Sequence, residues 1–389
     1  MAKEPSIFPV LLSGAAFGAA LTAAGVYQPA VITSQLKLQN WHMMQSFLTA
    51  TAGSVLISAL VQWLGHAELP PRGFSSVRLL GRADANAAGG ALLGCGMALA
   101  GACPGTVVPQ AALGVASGRW ALVGGVLGGL AWSGLLRPWT AARRRSAQAA
   151  AAAAAAAGLE KTGGAGGNGE NTWRASLTVY ESLGVSYVAA LVVMELALGA
   201  AVKIVMGLGN YSNGSAGTYK QQQQQQQPVH PVIGGLLIAS AQLVSLLARK
   251  AMLGSSAAFE DAADHLLWLW GRFLSTGADS RPGSKEGKQP RPKTGSLVFA
   301  AGMALGAWVL GRGWAPAAAA AALPGPPAAG GSAARAALGG FLMIVGSRLA
   351  GGCTSGHGIS GMSLLSISSM VTIGSAFASG IVLSTRFLS

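Results

Sequence analysis

The chain has 389 residues, of which 51% are hydrophobic and 10% carry a charge, and its mean hydropathy is +0.47. These values exclude a water-soluble protein, because too few polar side chains are present to cover its surface, and they are typical of a polytopic membrane protein. The formal net charge of +14 would suggest nucleic-acid binding in a soluble domain. Here the basic residues gather between apolar runs, where solvent and lipid headgroups explain them, so we expect no nucleic-acid partner.

Seven apolar runs approach the ~20 residues that a helix needs to cross a bilayer. No small-residue cleavage site follows the first run, so we expect a retained span and not a signal peptide. Basic clusters fall in loops expected on both faces of the membrane, and the positive-inside rule therefore leaves the orientation open. The runs occupy residues 7–25, 47–64, 120–135, 183–206, 232–247, 296–310 and 370–383.

The first run is followed by a predicted break. Pro29 stands shortly after its end, and proline lacks the N–H that a helix requires and clashes with the preceding turn. A broken or re-entrant helix is therefore expected here. Much later in the chain, residues 259–273 combine acidic side chains with a tryptophan-rich face, which is typical of an interfacial helix.

Two glycine-rich segments form an internal repeat. Residues 89–110 read GGALLGCGMALAGACPGTVVPQ, and residues 339–366 read GGFLMIVGSRLAGGCTSGHGISGMSLLS. Shifted by 250 residues without a gap, the fifteen positions from 89 to 103 match the second copy at eight places, including Cys103 and Cys353. The repeat divides the chain into a first membrane repeat (1–140), a low-complexity Ala/Gly linker (141–172), a bridging transmembrane helix with a Gln-rich linker (173–229) and a second membrane repeat (230–389).

The two linkers lack apolar side chains that could offset the entropy of ordering, so we expect disordered connectors. The bridging span contains Glu195 and Lys203, about two helical turns apart and loosely on one face. Ionisable residues inside a membrane are candidates for function. The alternatives are that Lys203 extends to the interface and that Glu195 is paired or neutral.

The residues around the two repeated cysteines predict irregular backbone at membrane depth, which is tolerated only where it is buried in protein or lines a cavity. After Cys103 we expect a helix that starts at Pro104. Half-helices meeting near the membrane centre would direct their positive N-terminal ends at one site, which favours an anionic substrate. The predicted fold is thus all-α: a polytopic transmembrane helical protein with two pseudo-symmetric repeats and re-entrant, broken helices. Besides the cysteines, the predicted site contains Gly105, Thr106, Thr354, Ser355 and Gly356.

Arg348 and His357 complete the predicted site. Arg348 replaces Ala98 of the first copy in otherwise apolar sequence; it either adds positive potential to the path or extends to the interface and caps carbonyls. His357 would donate a hydrogen bond in the loop or line the path. A Cys₃His zinc site is not expected, because the spacing does not fit one. Cys95, whose counterpart is Val345, is expected to pack as a small hydrophobe.

The phrases SRLAGGCTSGHGISGMS and GMALAGACPGT resemble the YeeE/YedE family of sulfur-transport membrane proteins, whose known activity is thiosulfate uptake. The resemblance covers both halves and leaves out the inserts. It implies a pseudo-symmetric helical hourglass with buried loops, in which cysteine thiols bind the terminal sulfur of thiosulfate and pass it inward. By motif position these are Cys103 and Cys353. The family also has a cysteine just after the first helix, where this chain has Gly25, Val26 and Tyr27.

We therefore expect a transporter, not an enzyme, that takes up thiosulfate or a similar sulfur-containing anion along a cysteine-lined path. Thiols are weak donors suited to a soft sulfur acceptor, and weak sites in series let an ion both enter and leave. No cofactor or metal is expected. The partners are the anion and the lipid bilayer of the plasma membrane or, alternatively, of an organelle. The second hypothesis is a membrane-embedded thiol enzyme, a sulfurtransferase or redox enzyme, because paired cysteines also suit persulfide chemistry.

Overall fold

The computed structural model describes residues 6–77, 81–143, 145–146, 177–211, 229–275, 291–313 and 331–388. Within these ranges the chain is helical, with connecting segments and a single isolated bridge. Most of both predicted linkers lies outside the described residues, but 141–143 and 145–146 are helical, so the first linker begins later than predicted. The α-helices are α1 (Ile7–Ala23), α2 (Pro29–Leu36), α3 (His42–Trp63), α4 (Asp84–Ala100), α5 (Val107–Ala112), α6 (Ala116–Ala131), α7 (Val179–Leu183), α8 (Tyr187–Tyr211), α9 (Pro231–Arg249), α10 (Ala257–Ser275), α11 (Gly295–Gly313), α12 (Gly331–Ala350) and α13 (Ile367–Arg386).

Seven of these helices are long and apolar enough to cross a membrane: α3, α6 with its continuation to Arg143, α8, α9, α11, α12 and α13. Helix α1 is also apolar but has 17 residues. All seven predicted runs coincide with helices, which confirms an all-α polytopic membrane protein. Helix α12 was not predicted as a span, because its glycines and its two arginines lower the hydropathy of the segment.

The break after α1 lies where the proline predicts it. Helix α1 ends at Ala23, and Gly25 adopts a left-handed conformation with φ of 69°. Pro29 then occupies the first turn of α2, the position where a missing N–H costs least.

The two glycine-rich helices, α4 and α12, cross at very short distance. A Cβ on Gly89 would stand 2.6 Å from the carbonyl oxygen of Gly346, and one on Gly96 would stand 2.6 Å from that of Gly339. The two helices are thus antiparallel, and their small residues let the backbones touch, as is common between membrane helices. The shift of 250 residues maps Gly89 onto Gly339 and Gly96 onto Gly346. The two contacts are therefore equivalent under the predicted repeat.

Most of the packing joins the two halves of the chain. Helix α1 packs on α11, α3 packs on α9, and α4 packs on both α12 and α13, while α6 also packs on α12. The bridging helix α8 packs mainly on α3 and leaves most of its surface exposed. The core of the described protein therefore consists of helices from opposite halves.

Candidate functional site

Cys353 follows α12, which ends at Ala350, and Gly351 between them adopts a left-handed conformation with φ of 87°. Its thiol is fully buried and surrounded by polar groups. The Ser355 hydroxyl lies 3.2 Å from Sγ, and Ser255 contributes its backbone N–H at 3.4 Å and its hydroxyl at 3.6 Å. Ser255 stands in the connection between α9 and α10, and no motif in the sequence pointed to it. The thiol is thus held by hydrogen bonds from two separate segments.

The glycine run after Cys353 is more regular than the open loop its composition suggests. Residues Ser355–Gly361 form a wide, π-helical turn, and Met362–Leu364 continue it as a 3₁₀ turn before α13. The N–H of His357 donates to the Cys353 carbonyl at 2.8 Å. The turn therefore begins directly beside the cysteine.

Cys103 lies in the corresponding connection of the first half and is 7% exposed. The Cys103 N–H donates to Thr106 Oγ1 at 2.8 Å, and the Cys103 carbonyl accepts from the N–H groups of Thr106 and Val107. Thr106 Oγ1 is also 3.5 Å from the Cys103 sulfur. Helix α5 consequently begins at Val107 and not at the predicted Pro104, because these bonds hold the intervening residues in a tight turn.

An apolar cavity of about 40 Å³ connects the two motifs. It has room for only a few water molecules. A Cβ on Gly105 would stand 3.6 Å from the Cys103 sulfur and 3.8 Å from the Ser355 hydroxyl, and this hydroxyl contacts the Cys353 thiol. Ser355 therefore bridges the surroundings of the two cysteines. The cavity is lined by Phe17, Leu21, Val26, Met43, Ser46, Phe47, Met97, Cys103, Gly105, Thr106, Ile238, Thr354, Ser355, Ile359 and Phe377.

Arg72 is the polar residue at this site that sequence reasoning missed. It belongs to the connection between α3 and α4, and its Nη1 donates to the Gly351 carbonyl at 3.0 Å. A Cβ on Gly356 would stand 3.1 Å from Arg72 Nη2 and 3.6 Å from the Cys353 sulfur. The guanidinium of the first half therefore lies beside the cysteine of the second half.

Arg348 has a partner on α10. Its Nη2 forms an ion pair with Glu260 Oε2, and Glu260 Oε1 pairs with Arg137 at 3.1 Å. Arg137 also contacts Asp264 at 2.9 Å. The acidic side chains predicted for an interfacial helix thus connect α10 to α6 and α12. Arg348 is nevertheless close enough to Arg72 for their charges to interact.

Residues 23–383 match the model of the protein family described as sulphur transport. The chain belongs to the sulphur transport (YeeE/YedE) family. The matched range contains both glycine-rich motifs, Arg72 and the ion pair of Arg348, while Phe17 and Leu21 of the cavity lining precede it. No curated protein matches the chain.

The other candidate residues of this sulphur transport protein lie outside the cysteine cluster. Cys95 is partly buried in the middle of α4 and does not line the cavity. Glu195 is partly buried on α8 with Oε1 unpaired among the described residues, and Lys203 is exposed. The described residues bring no three His, Cys, Asp or Glu side chains together at metal-binding distance.

Proposed function

We propose that the protein moves thiosulfate or a similar sulfur-containing anion across the membrane along a path formed by Cys103 and Cys353. The observation that carries this proposal is that Ser355, whose hydroxyl contacts the Cys353 thiol, lines one cavity together with Cys103, inside a protein of the sulphur transport family. Each thiol would contact the terminal sulfur of the anion in turn.

The surroundings of the thiols suit a soft anion. Phe17, Phe47 and Phe377 line the cavity. An ion that loses water at such an apolar wall needs hydrogen-bond donors in its place, because its desolvation is otherwise too costly. The thiols, Thr106 and Ser355 would supply weak donors in series, so that no single step traps the ion. Thr354 Oγ1 lines the same cavity and has no hydrogen-bond partner among the described residues, and it would add one more donor. Passage requires this small cavity to widen.

The remaining predicted residues would act around this path. Gly105 and Gly356 keep space free beside the two sulfur atoms, while Arg348 would add positive potential from behind Glu260. The family assignment favours transport over the alternative of a thiol enzyme. We propose the plasma membrane as the location.

Uptake of ³⁵S-labelled thiosulfate into membrane vesicles tests the proposal. Cys103→Ala and Cys353→Ala should each abolish uptake, because each removes the thiol from one motif. Cys95→Ala is the matched control and should retain most of the uptake, because Cys95 lies inside α4, away from both cysteine turns, and its repeat counterpart is Val345. Equal losses in all three variants, at equal amounts of folded protein, would contradict a path formed by Cys103 and Cys353.

A further inference from the structure

The main chain around Arg72 is fixed against the second half of the protein. The Arg72 carbonyl accepts hydrogen bonds from Ser366 Oγ at 3.0 Å and from Ser368 Oγ at 3.1 Å. Both serines lie at the start of α13. The Nη1 group also donates to the Gly351 carbonyl. Arg72 is therefore fixed both at its backbone and at its guanidinium.

Three glycines of the second motif make room for this side chain. A Cβ would stand 2.7 Å from Arg72 Nη1 at Gly352, 3.1 Å from Nη2 at Gly356 and 3.2 Å from Cδ at Gly361. All three distances are shorter than ordinary carbon contacts. The arginine therefore lies along the glycine run, and a side chain at Gly352 or Gly356 would displace its guanidinium, while at Gly361 the nearest side chain is that of Ser369.

His357 faces the same space. Its side chain is 1% exposed, and Nδ1 is 2.9 Å from Ser369 Oγ. Its Nε2 would be 3.0 Å from a Cβ on Gly352, the position that is also closest to Arg72 Nη1. Among the described residues Nε2 has no hydrogen-bond partner of ordinary geometry, although the Ala350 carbonyl is nearby. A buried imidazole nitrogen thus points into the space beside the guanidinium.

The Arg72 guanidinium has more N–H donors than its hydrogen bond to Gly351 uses. Arginine carries five N–H donors, one of which is used on Gly351, and no carboxylate pairs with Arg72 among the described residues. A partly buried cation without a counter-ion favours an anion nearby. A planar guanidinium suits an oxyanion, because two of its N–H groups can contact two oxygens at once.

We propose that Arg72 and His357 form an oxyanion-binding subsite at Cys353, which holds the oxygen atoms of the transported anion while the thiol contacts its sulfur. This inference rests on the proposed function. His357 would donate from Nε2, with Ser369 Oγ donating to Nδ1. Such a site selects an anion that carries both a soft sulfur and sulfonate-like oxygens. Thiocyanate, which has sulfur and a negative charge but no oxygen, cannot accept two N–H groups on two oxygens and would gain less from Arg72.

Thermal unfolding of the purified protein in detergent tests the subsite independently of transport. Sodium thiosulfate should raise the melting temperature of the wild type relative to sodium chloride at equal ionic strength, because a ligand of the folded state stabilises it. The Kd obtained from the titration should rise at least tenfold in Arg72→Met and several-fold in Arg72→Lys, which keeps the charge without the planar fork. The loss of affinity between wild type and Arg72→Lys, which keeps the charge, should be larger for sodium thiosulfate than for sodium thiocyanate, which has no oxygens for the planar fork.

Two matched variants separate binding from general damage. Arg82→Met changes an exposed arginine of the same connection, which lies over the Phe74 ring, and it should leave the Kd for thiosulfate unchanged. Gly352→Ala inserts a methyl group between Arg72 and His357 and should weaken binding, whereas Gly374→Ala, with no atom within 4 Å of the new Cβ, should not. If Arg72→Met does not fold, Arg72→Lys and Gly352→Ala carry the test.

The outcomes distinguish the subsite from the proposed function. Wild-type affinity for thiosulfate in Arg72→Met, or in both substitute variants, overturns the subsite even if vesicles take up thiosulfate. Absence of stabilisation of the wild type by thiosulfate and by sulfate also overturns it. Wild-type vesicles could take up no thiosulfate while sulfate stabilises the protein in an Arg72-dependent way. That result would support the oxyanion subsite and contradict thiosulfate transport.

Discussion

The ion pair between Arg348 and Glu260 allows the role of Arg348 to be measured. The two side chains are 21% and 14% exposed, and Glu260 has a second partner in Arg137. Removing one partner of a fully buried pair costs about 3–5 kcal/mol. Because Arg137 remains, Arg348→Met should cost less, about 1.5–3 kcal/mol, the range for hydrogen bonds to charged groups. Glu260→Gln should cost a similar amount.

A double-mutant cycle provides the assay. Unfolding in detergent and thiosulfate uptake per folded molecule are measured for Arg348→Met, Glu260→Gln and the double variant. If Arg348 acts through the pair, the double variant should be little worse than either single variant, in stability and in uptake. Arg348→Lys should lose much of the stabilisation, because its point charge cannot replace a guanidinium. Normal uptake in Glu260→Gln together with lost uptake in Arg348→Met would refute a role of Arg348 through the ion pair and would leave its positive potential as its contribution to the path.

Two further predictions concern the packing and the inserts. Gly94→Ala should destabilise the protein by about 1–3 kcal/mol through overpacking, because the new Cβ would overlap the Ala376 carbonyl; Gly374→Ala is the control, and equal melting temperatures would contradict the close approach. Shortening residues 141–171 and the glutamine tract 221–227 to a flexible linker that still spans the ends should leave uptake unchanged, since neither has apolar periodicity. Lost uptake in a shortened variant that reaches the membrane would show that the inserts matter.

The sequence predicted most of the membrane helices, because an apolar run of sufficient length has few other stable states in a bilayer. Helix α12 was not predicted as a membrane span. Its surface is suited to α4 and not to lipid, and small residues that pack against a helix carry little hydropathy signal. The break at Pro29 was predictable because it depends on a local property of proline.

The site was predictable only where a motif marked it. Cys103 and Cys353 follow from the repeat, and their neighbours follow from position. Ser255 and Arg72 do not, since Ser255 lies 98 residues from Cys353 in the chain and neither residue belongs to a motif. Likewise, Glu260 as the partner of Arg348 depends on how α10 packs. Contacts between segments that are far apart in the sequence could be identified only from the three-dimensional structure.

The packing of each half on the other determines what happens during synthesis. Helices α1, α3, α4 and α6 have their main partners in the second half, so the glycine faces of the first half emerge with nothing to cover them. At about 5–20 residues per second, α12 is completed roughly 10 to 40 s after α6. During that interval the growing chain is an unfinished bundle in the bilayer. Its survival then depends on the insertion machinery and on how fast membrane proteases act, and translation speed through the long connection becomes a determinant of yield.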